Sequence, residues 1–343
     1  RLRAAPEYAS STSRTEFKIS GGLEWIEYLE TYETIRNYNA TTSVRHRASE
    51  RLAFTAGASF VSRIVGAGFG SSSLDVDEPT APSDDEILNE DPTVFGLRER
   101  RNSYLGRAGM TFTPSERDLF EIDVNARRED FRSSLFNDVT FVSQGIQYRR
   151  VLNEGLQIGA QANYSISNFD SATRFDAETI SPSLVVNAQL TPRLQLAANV
   201  GAAFVSLDGP DESTSDTAFS GEMSLCYNDT RKNLCARASR GFLPFGVGGV
   251  RLQTVVSSTY SHRLTERDRL SLRGSYSTVS EPIEGLGGET DLLSLSGRYD
   301  RQISERVDLF FNTTYSNLEN SLTADRSRFQ ILGGVSFRLG APR

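Results

Sequence analysis

The sequence is poor in the residues on which soluble enzymes and helical membrane proteins most often depend. Its 343 residues hold two histidines, two cysteines, two methionines and one tryptophan. Neither His46 nor His262 stands in an H-E-x-x-H pattern and no G-x-S-x-G occurs, so the commonest metallohydrolase and serine-hydrolase signatures are missing. Ser261 precedes His262 directly, and strand neighbours point to opposite faces, which argues against a Ser–His pair. No enzyme, cofactor or metal is expected. With no run of 18 or more apolar residues and a mean hydropathy of −0.38, the chain offers no transmembrane helix. Lysine is nearly missing as well: all but Lys18 and Lys232 of the 37 basic residues are arginine. Those arginines are dispersed and the net charge is −7, which argues against a nucleic-acid partner. The chain opens on Arg1 without a charged-then-apolar segment, as a processed secreted chain would.

What is present is a recurring turn. Ser49-Glu50-Arg51, Ser115-Glu116-Arg117, Asn153-Glu154-Gly155, Thr191-Pro192-Arg193, Asp229-Thr230-Arg231, Thr265-Glu266-Arg267 and Ser304-Glu305-Arg306 follow one another at intervals of 66, 38, 38, 38, 36 and 39 residues. Each is followed by a run alternating apolar and polar residues, the mark of a β-hairpin array. After Arg193, Leu194, Leu196, Ala198, Val200, Ala202 and Phe204 share one face, against Gln195, Ala197, Asn199, Gly201 and Ala203. Leu156 and Ile158, and likewise Leu309 and Phe311, open similar faces. A soluble sandwich has the same rhythm, but these segments run about 12–16 residues against about 5–6 for a typical soluble strand. That is the length of a tilted membrane strand with its extensions.

Longer connections lie near residues 30–33, 67–95, 129–136, 169–176, 206–215, 244–248, 281–288 and 319–325. Short turns at one end and long loops at the other predict an all-β, antiparallel, up-and-down transmembrane β-barrel of about sixteen strands, with short periplasmic turns and longer extracellular loops. Both termini would then lie on the short-turn side. Residues 1–14 read as a periplasmic lead-in and 15–343 as the barrel, located in a bacterial outer membrane. The alternation slips within 15–47 and 137–152, where Phe141 conflicts with Val142, and bulges are expected there. Phe60, Tyr164, Phe204, Tyr276 and Tyr315 fall about 8–11 residues beyond a short turn on the apolar parity, where the far aromatic girdle belongs.

Cys226 and Cys235 flank the turn at Asp229–Lys232 symmetrically, so they face each other across the hairpin and a disulfide is expected. The inward parity collects Arg45, Arg63, Arg101, Arg107, Arg127, Arg149, Arg237, Arg273 and Arg298, with Glu121, Asp123, Glu222 and Asp308. These are the candidate pore-lining residues. The guanidinium fork suits carboxylate and hydroxyl partners, although such a wall could also serve only to satisfy and stiffen itself. The connection 67–95 carries Asp75, Asp77, Glu78, Asp84, Asp85, Glu86, Glu90 and Asp91 with no balancing cation up to Val94. It reads as a mobile acidic loop, a pore constriction or a divalent-cation site beside lipopolysaccharide.

Pro6-Glu7-Tyr8, the stretch from Thr15 to Tyr28, the Arg47–Leu52 turn and the recurring turn-Arg-x-Leu starts resemble the β-barrel porin 2 family of proteobacterial outer-membrane proteins. Gly334-x-x-Phe337-x-Leu339 resembles the terminal assembly signal of such barrels. The resemblance implies an association with exopolysaccharide export. The expected function is a channel for polar or anionic solutes, with polysaccharide as the leading substrate, and the alternative is a scaffolding barrel with a closed lumen. Implied partners are outer-membrane lipid, lipopolysaccharide, polysaccharide and periplasmic export components.

Overall fold

The computed structural model describes residues 2–27, 34–65, 99–133, 136–170, 176–209, 213–245, 249–280, 289–320 and 323–337. The acidic connection 67–95 lies wholly outside these, as does Leu339 of the terminal motif. The strands are β1 (Leu2–Ala4), β2 (Glu7–Ser11), β3 (Thr15–Ile26), β4 (Ile35–Arg47), β5 (Leu52–Val65), β6 (Glu99–Phe112), β7 (Asp118–Phe131), β8 (Val139–Asn153) and β9 (Leu156–Phe169). They continue as β10 (Asp176–Thr191), β11 (Leu194–Asp208), β12 (Ser213–Asn228), β13 (Lys232–Pro244), β14 (Val250–Arg263), β15 (Asp268–Ser280), β16 (Thr290–Ser304), β17 (Val307–Asn320) and β18 (Thr323–Phe337). All pair antiparallel in one up-and-down sheet, and no helix occurs among the described residues. The sheet is not closed: β18 pairs with β17, and β1 and β2 pair with β3.

The sixteen strands read from the turns are β3 to β18, and the segment before them adds a seventeenth. Residues 1–14 are not a separate lead-in, because β1 and β2 form one interrupted strand along β3, tied by the Lys18–Glu7 ion pair at 3.0 Å. Pro6 causes the interruption because it has no N–H to give, yet its carbonyl still accepts from the Gly21 amide at 2.9 Å. The extra strand also moves the N-terminal end to the long-loop rim.

The turns repeat because their chemistry repeats. In six of the seven predicted copies the first side chain accepts from the backbone N–H two residues on, at 2.9–3.3 Å from Ser49 through Ser304. Asp229 instead takes the Thr230 amide. Such local bonds replace ladder bonds and end the strand. The third residue then stitches the rim together. The carbonyls of Arg51, Arg117, Gly155, Arg193, Arg231 and Arg267 accept the N–H groups of Thr113, Val151, Gln189, Asn228, Arg263 and Gln302 at 2.7–2.8 Å. A bond to the next hairpin at six of the seven copies gives them a common stagger, and so a common spacing.

Of the two ranges in which bulges are expected, 137–152 holds one, a register shift at Val151/Asn153 that lies at the hairpin end and away from Phe141, and β3 and β4 show none against each other. Register is unbroken from Thr15–His46 to Ile26–Ile35, and Phe141 simply faces inward between Arg127 and Ser167 while Val142 faces out. The other register shifts also lie beside hairpin ends, at Gln189/Thr191, Gln302/Ser304 and Leu318/Asn320.

Burial is inverted relative to a soluble sandwich. Leu184 and Phe329, on the apolar parity, are 68% and 64% exposed, whereas Ser316 and Thr290, on the polar parity, are 2% and 1% exposed. One sheet with no second layer covers a face only by curling around it, so the polar face is the interior. The apolar face is the one left for lipid. Phe204 and Tyr276 lie exposed on that face, and Phe60 packs against Tyr104 with ring centroids 5.1 Å apart.

Candidate functional site: the inner wall

Strand register places all thirteen predicted wall residues on the enclosed face, in separate groups. On β5 to β7, Arg63 lies opposite Arg101, Ser103 opposite Glu129, Leu105 opposite Arg127 and Arg107 opposite Asn125. Glu129 is buried and serves two guanidinium groups, Arg101 at 3.5 Å and Arg127 at 3.0 Å. Arg107 reaches across Gly57, where an added Cβ would come within 3.0 Å of its Nε.

Closer to the short turns, Arg149 pairs with Glu121, and Asp123 accepts from Asn125 at 3.1 Å. Across the sheet, Arg298 grips Asp300 at 2.7 Å and lies 5.3 Å from the centre of the Phe310 ring. Arg45 faces Glu16 and Thr55, and Asp308 faces Gln302 and Ser336. Glu222, Arg237 and Arg273 line β12, β13 and β15, where Ser239, Ser257 and Thr259 are their cross-strand neighbours. The alternation alone found the face, but it could not say which wall charges meet.

Cys226 and Cys235 are opposite in register and joined by a disulfide beside the short-turn rim. His46 Nδ1 lies 2.9 Å from Thr15 Oγ1 and His262 Nδ1 lies 3.1 Å from the Tyr260 hydroxyl. Among the described residues, no group of three or more His, Cys, Asp or Glu side chains is placed to hold a metal ion.

Two features escaped the sequence reading. Arg128, on the outward parity, donates to Asp130 at 2.8 Å and Asp170 at 2.9 Å, forming a charged rim above the apolar band. The second lies inside. Val139, Phe169, Ala177, Ala203, Val205 and Leu207 on the inner parity of β8 to β11 form one buried apolar cluster with Phe242, Val250 and Leu252. Those last three are on the outward parity of β13 and β14, so the end of that hairpin has moved to the interior side of the wall. Its other face is buried too, at Arg251 and at Gln253, whose Nε2 donates to Ser277 Oγ at 2.9 Å.

A curled antiparallel sheet with an apolar exterior and a charged interior is the fold of bacterial outer-membrane β-barrels. The chain matches no protein-family model and no curated relative in sequence, so no sequence match supports the porin 2 resemblance. Solved structures do match. The apoprotein form of the FrpB iron transporter from Neisseria meningitidis aligns with a TM-score of 0.55 and 5% identity, over 93% of this chain and 59% of that one. The copper transporter OprC aligns at 0.54 and 12% identity, over 98% and 63%. A chain of the FpvAI–pyocin S2 complex aligns at 0.53 and 9% identity, over 99% and 56%. The chain thus spans about three fifths of the length of these structures, and at such identities the likeness is one of fold.

Proposed function

We propose that the chain works in the bacterial outer membrane as a transport barrel that passes polar or anionic solutes along its inner wall. The observation that carries this reading is the inverted burial: exposed Leu184, Val200 and Phe329 outside, arginines and hydroxyl residues inside. An apolar exterior has no use in water, and an interior of fixed charges biases ion passage through its field. The likeness of fold to an iron transporter and a copper transporter supports the general role. Exopolysaccharide is the finer substrate reading and rests on the porin 2 resemblance alone.

A second reading is a barrel with a closed lumen that holds a partner at its rim. One observation favours it, the inward-lying end of the β13–β14 hairpin packed on β8 to β11. Planar-bilayer recording on the purified chain separates the two. Stepwise conductance in potassium chloride is expected, and its absence would leave the scaffold reading.

A further inference from the structure

We infer that the apolar patch on the inner wall of β8 to β11 is a binding site for the alkyl chain of an uncharged amphiphile, and that the end of the β13–β14 hairpin, now seated on it, is what such a ligand displaces. The inference rests on the transport reading for the entry of the solute and adds a second chemistry to the wall.

The seated hairpin has a second place to go. Continuing the β12–β13 register past Gly221–Arg240 would set Gly241, Phe242, Leu243 and Pro244 opposite Ser220, Phe219, Ala218 and Thr217, yet none of these four pairs forms. Phe219 stays on the outer face, 60% exposed, whereas Phe242, which that register would place beside it, is 8% exposed in the inner cluster. Phe242, Val250 and Leu252 lie on the outward parity, so they suit lipid when the seam is closed and suit the patch when it is open. Gly221 and Gly241 stand where the ladder stops, and glycine within a strand weakens it and permits a bend. On the far side the ladder from β14 to β15 runs on to Leu252–Ser280, so the hairpin end is held at one edge and free at the other.

Closing the seam would uncover the patch. Val139, Phe169, Ala177, Ala203, Val205 and Leu207 face inward together, and an apolar surface turned to a watery lumen favours any apolar group that covers it. The hairpin end does so now. An alkyl chain does so in its place, and the backbone bonds regained at the closed seam favour the exchange. Toward the short turns the same strands turn Ser143, Asn163, Ser165 and Ser181 inward, hydroxyl and amide partners for an uncharged head. Asp216, opposite Val205, disfavours an anionic head; the other bordering charge, Glu129 opposite Val139, is held by Arg101 and Arg127.

The test uses the full chain in phosphatidylcholine nanodiscs, with a monoacylglycerol bearing a diazirine on its alkyl chain as the probe. Ala218→Cys with Leu243→Cys makes the same kind of cross-strand site as Cys226 and Cys235, an even number of residues further along the ladder. Oxidation is expected to join the two and hold the seam closed. Photolabelling and peptide mapping should then find adducts at Ala177, Val205 and Leu207 about tenfold or more above those in the matching Ala218→Ser, Leu243→Ser variant, which cannot be joined. Adducts at Val200 and Phe204 on the lipid face should be equal in both. Leu207→Asp, or Val205→Asn should that variant not fold, is expected to remove the inner adducts from the bridged form and keep the outer ones. The gel mobility of unheated samples establishes that each variant is folded. Cysteines that do not join, or inner adducts no more frequent in the bridged form, overturn the site. Conductance in potassium chloride that is absent from both forms counts against the transport reading alone, whereas missing inner adducts count against the site alone.

Discussion

Gly221 lies opposite Arg240, and no pair beyond this one joins β12 to β13, although β12 begins at Ser213 and β13 runs on to Pro244. The two strands part there. β13 keeps its ladder with β14 as far as Pro244–Val250, and β14 keeps its own with β15 as far as Leu252–Ser280, so the wall opens on one side of the hairpin, between β12 and β13. An unpaired stretch of ladder has a cost inside a membrane, and burial of Phe242, Val250 and Leu252 on the inner wall offsets it.

The seated hairpin makes a prediction about access. A single cysteine at Val205→Cys should react slowly with a membrane-impermeant thiol reagent, because Val205 is 2% exposed and Cys226 and Cys235 are bridged to each other. Adding Phe242→Asp puts a charge in the apolar cluster and should unseat the hairpin. Labelling at position 205 and channel conductance should then rise together. Equal labelling rates in the single and double variants would show that the hairpin does not cover the wall.

The membrane face can be tested by a neighbouring pair. Val200 is 51% exposed on the outer parity, while Asn199 faces inward and accepts from the Glu222 amide. Val200→Arg should cost about 2–4 kcal/mol in a lipid-refolding assay if it lies near the midplane. Asn199→Arg should cost far less, since the interior is polar. Equal losses would mean that both faces are packed in protein.

How far the sequence could be read follows from what alternation encodes. Parity fixed the faces of β9, β11 and β17, because one side of each had to be apolar. The seventeenth strand was missed although its signal was present. Thr12-Ser13-Arg14 is a further copy of the turn, with Thr12 Oγ1 accepting from the Arg14 amide at 3.4 Å and the Arg14 carbonyl accepting from Arg47 at 2.7 Å. It lacks the glutamate, and Pro6 breaks the pattern on its far side. The inward hairpin left no such trace. Phe242 and Leu252 obey the outward parity of their own strands, and parity says which way a side chain points from its strand, not which side of the wall the strand is on. The Arg101–Glu129–Arg127 contact was hidden for a different reason: the short turn at Ser115 sets the register of β6 and β7, but parity and register do not say which of several inward carboxylates a long guanidinium side chain reaches.

The disulfide offers a stability prediction that does not depend on function. Cys226 and Cys235 close a short loop around the turn at Asp229, and a cross-link over a loop of that size contributes about 2–3 kcal/mol in the chain-entropy account. The Cys226→Ser, Cys235→Ser double variant should lose about that much unfolding free energy and so unfold at a lower denaturant concentration, measured by tryptophan fluorescence of Trp25. Bilayer conductance should be unchanged, because the bridge lies beside the short-turn rim and away from the arginine group on β5 to β7. Altered ion selectivity in this variant would place the bridge in the permeation path instead.

Wall charge should also be visible in the permeating ions themselves. Arg107 and Arg127 lie on adjacent strands at the accessible end of the arginine group, and only Arg127 has a carboxylate partner among the described residues. Replacing both by serine removes two positive charges from the pathway while leaving the outer face and every short turn untouched. In a water-filled pore these charges act through their field on ions that never touch them, an effect that weakens once the Debye length falls to about 3 Å at 1 M salt. The reversal potential under a potassium chloride gradient should therefore shift toward cation selectivity in the double variant at low salt. The shift should shrink as salt rises. A shift that persists undiminished at 1 M would point to altered pore geometry and away from wall charge.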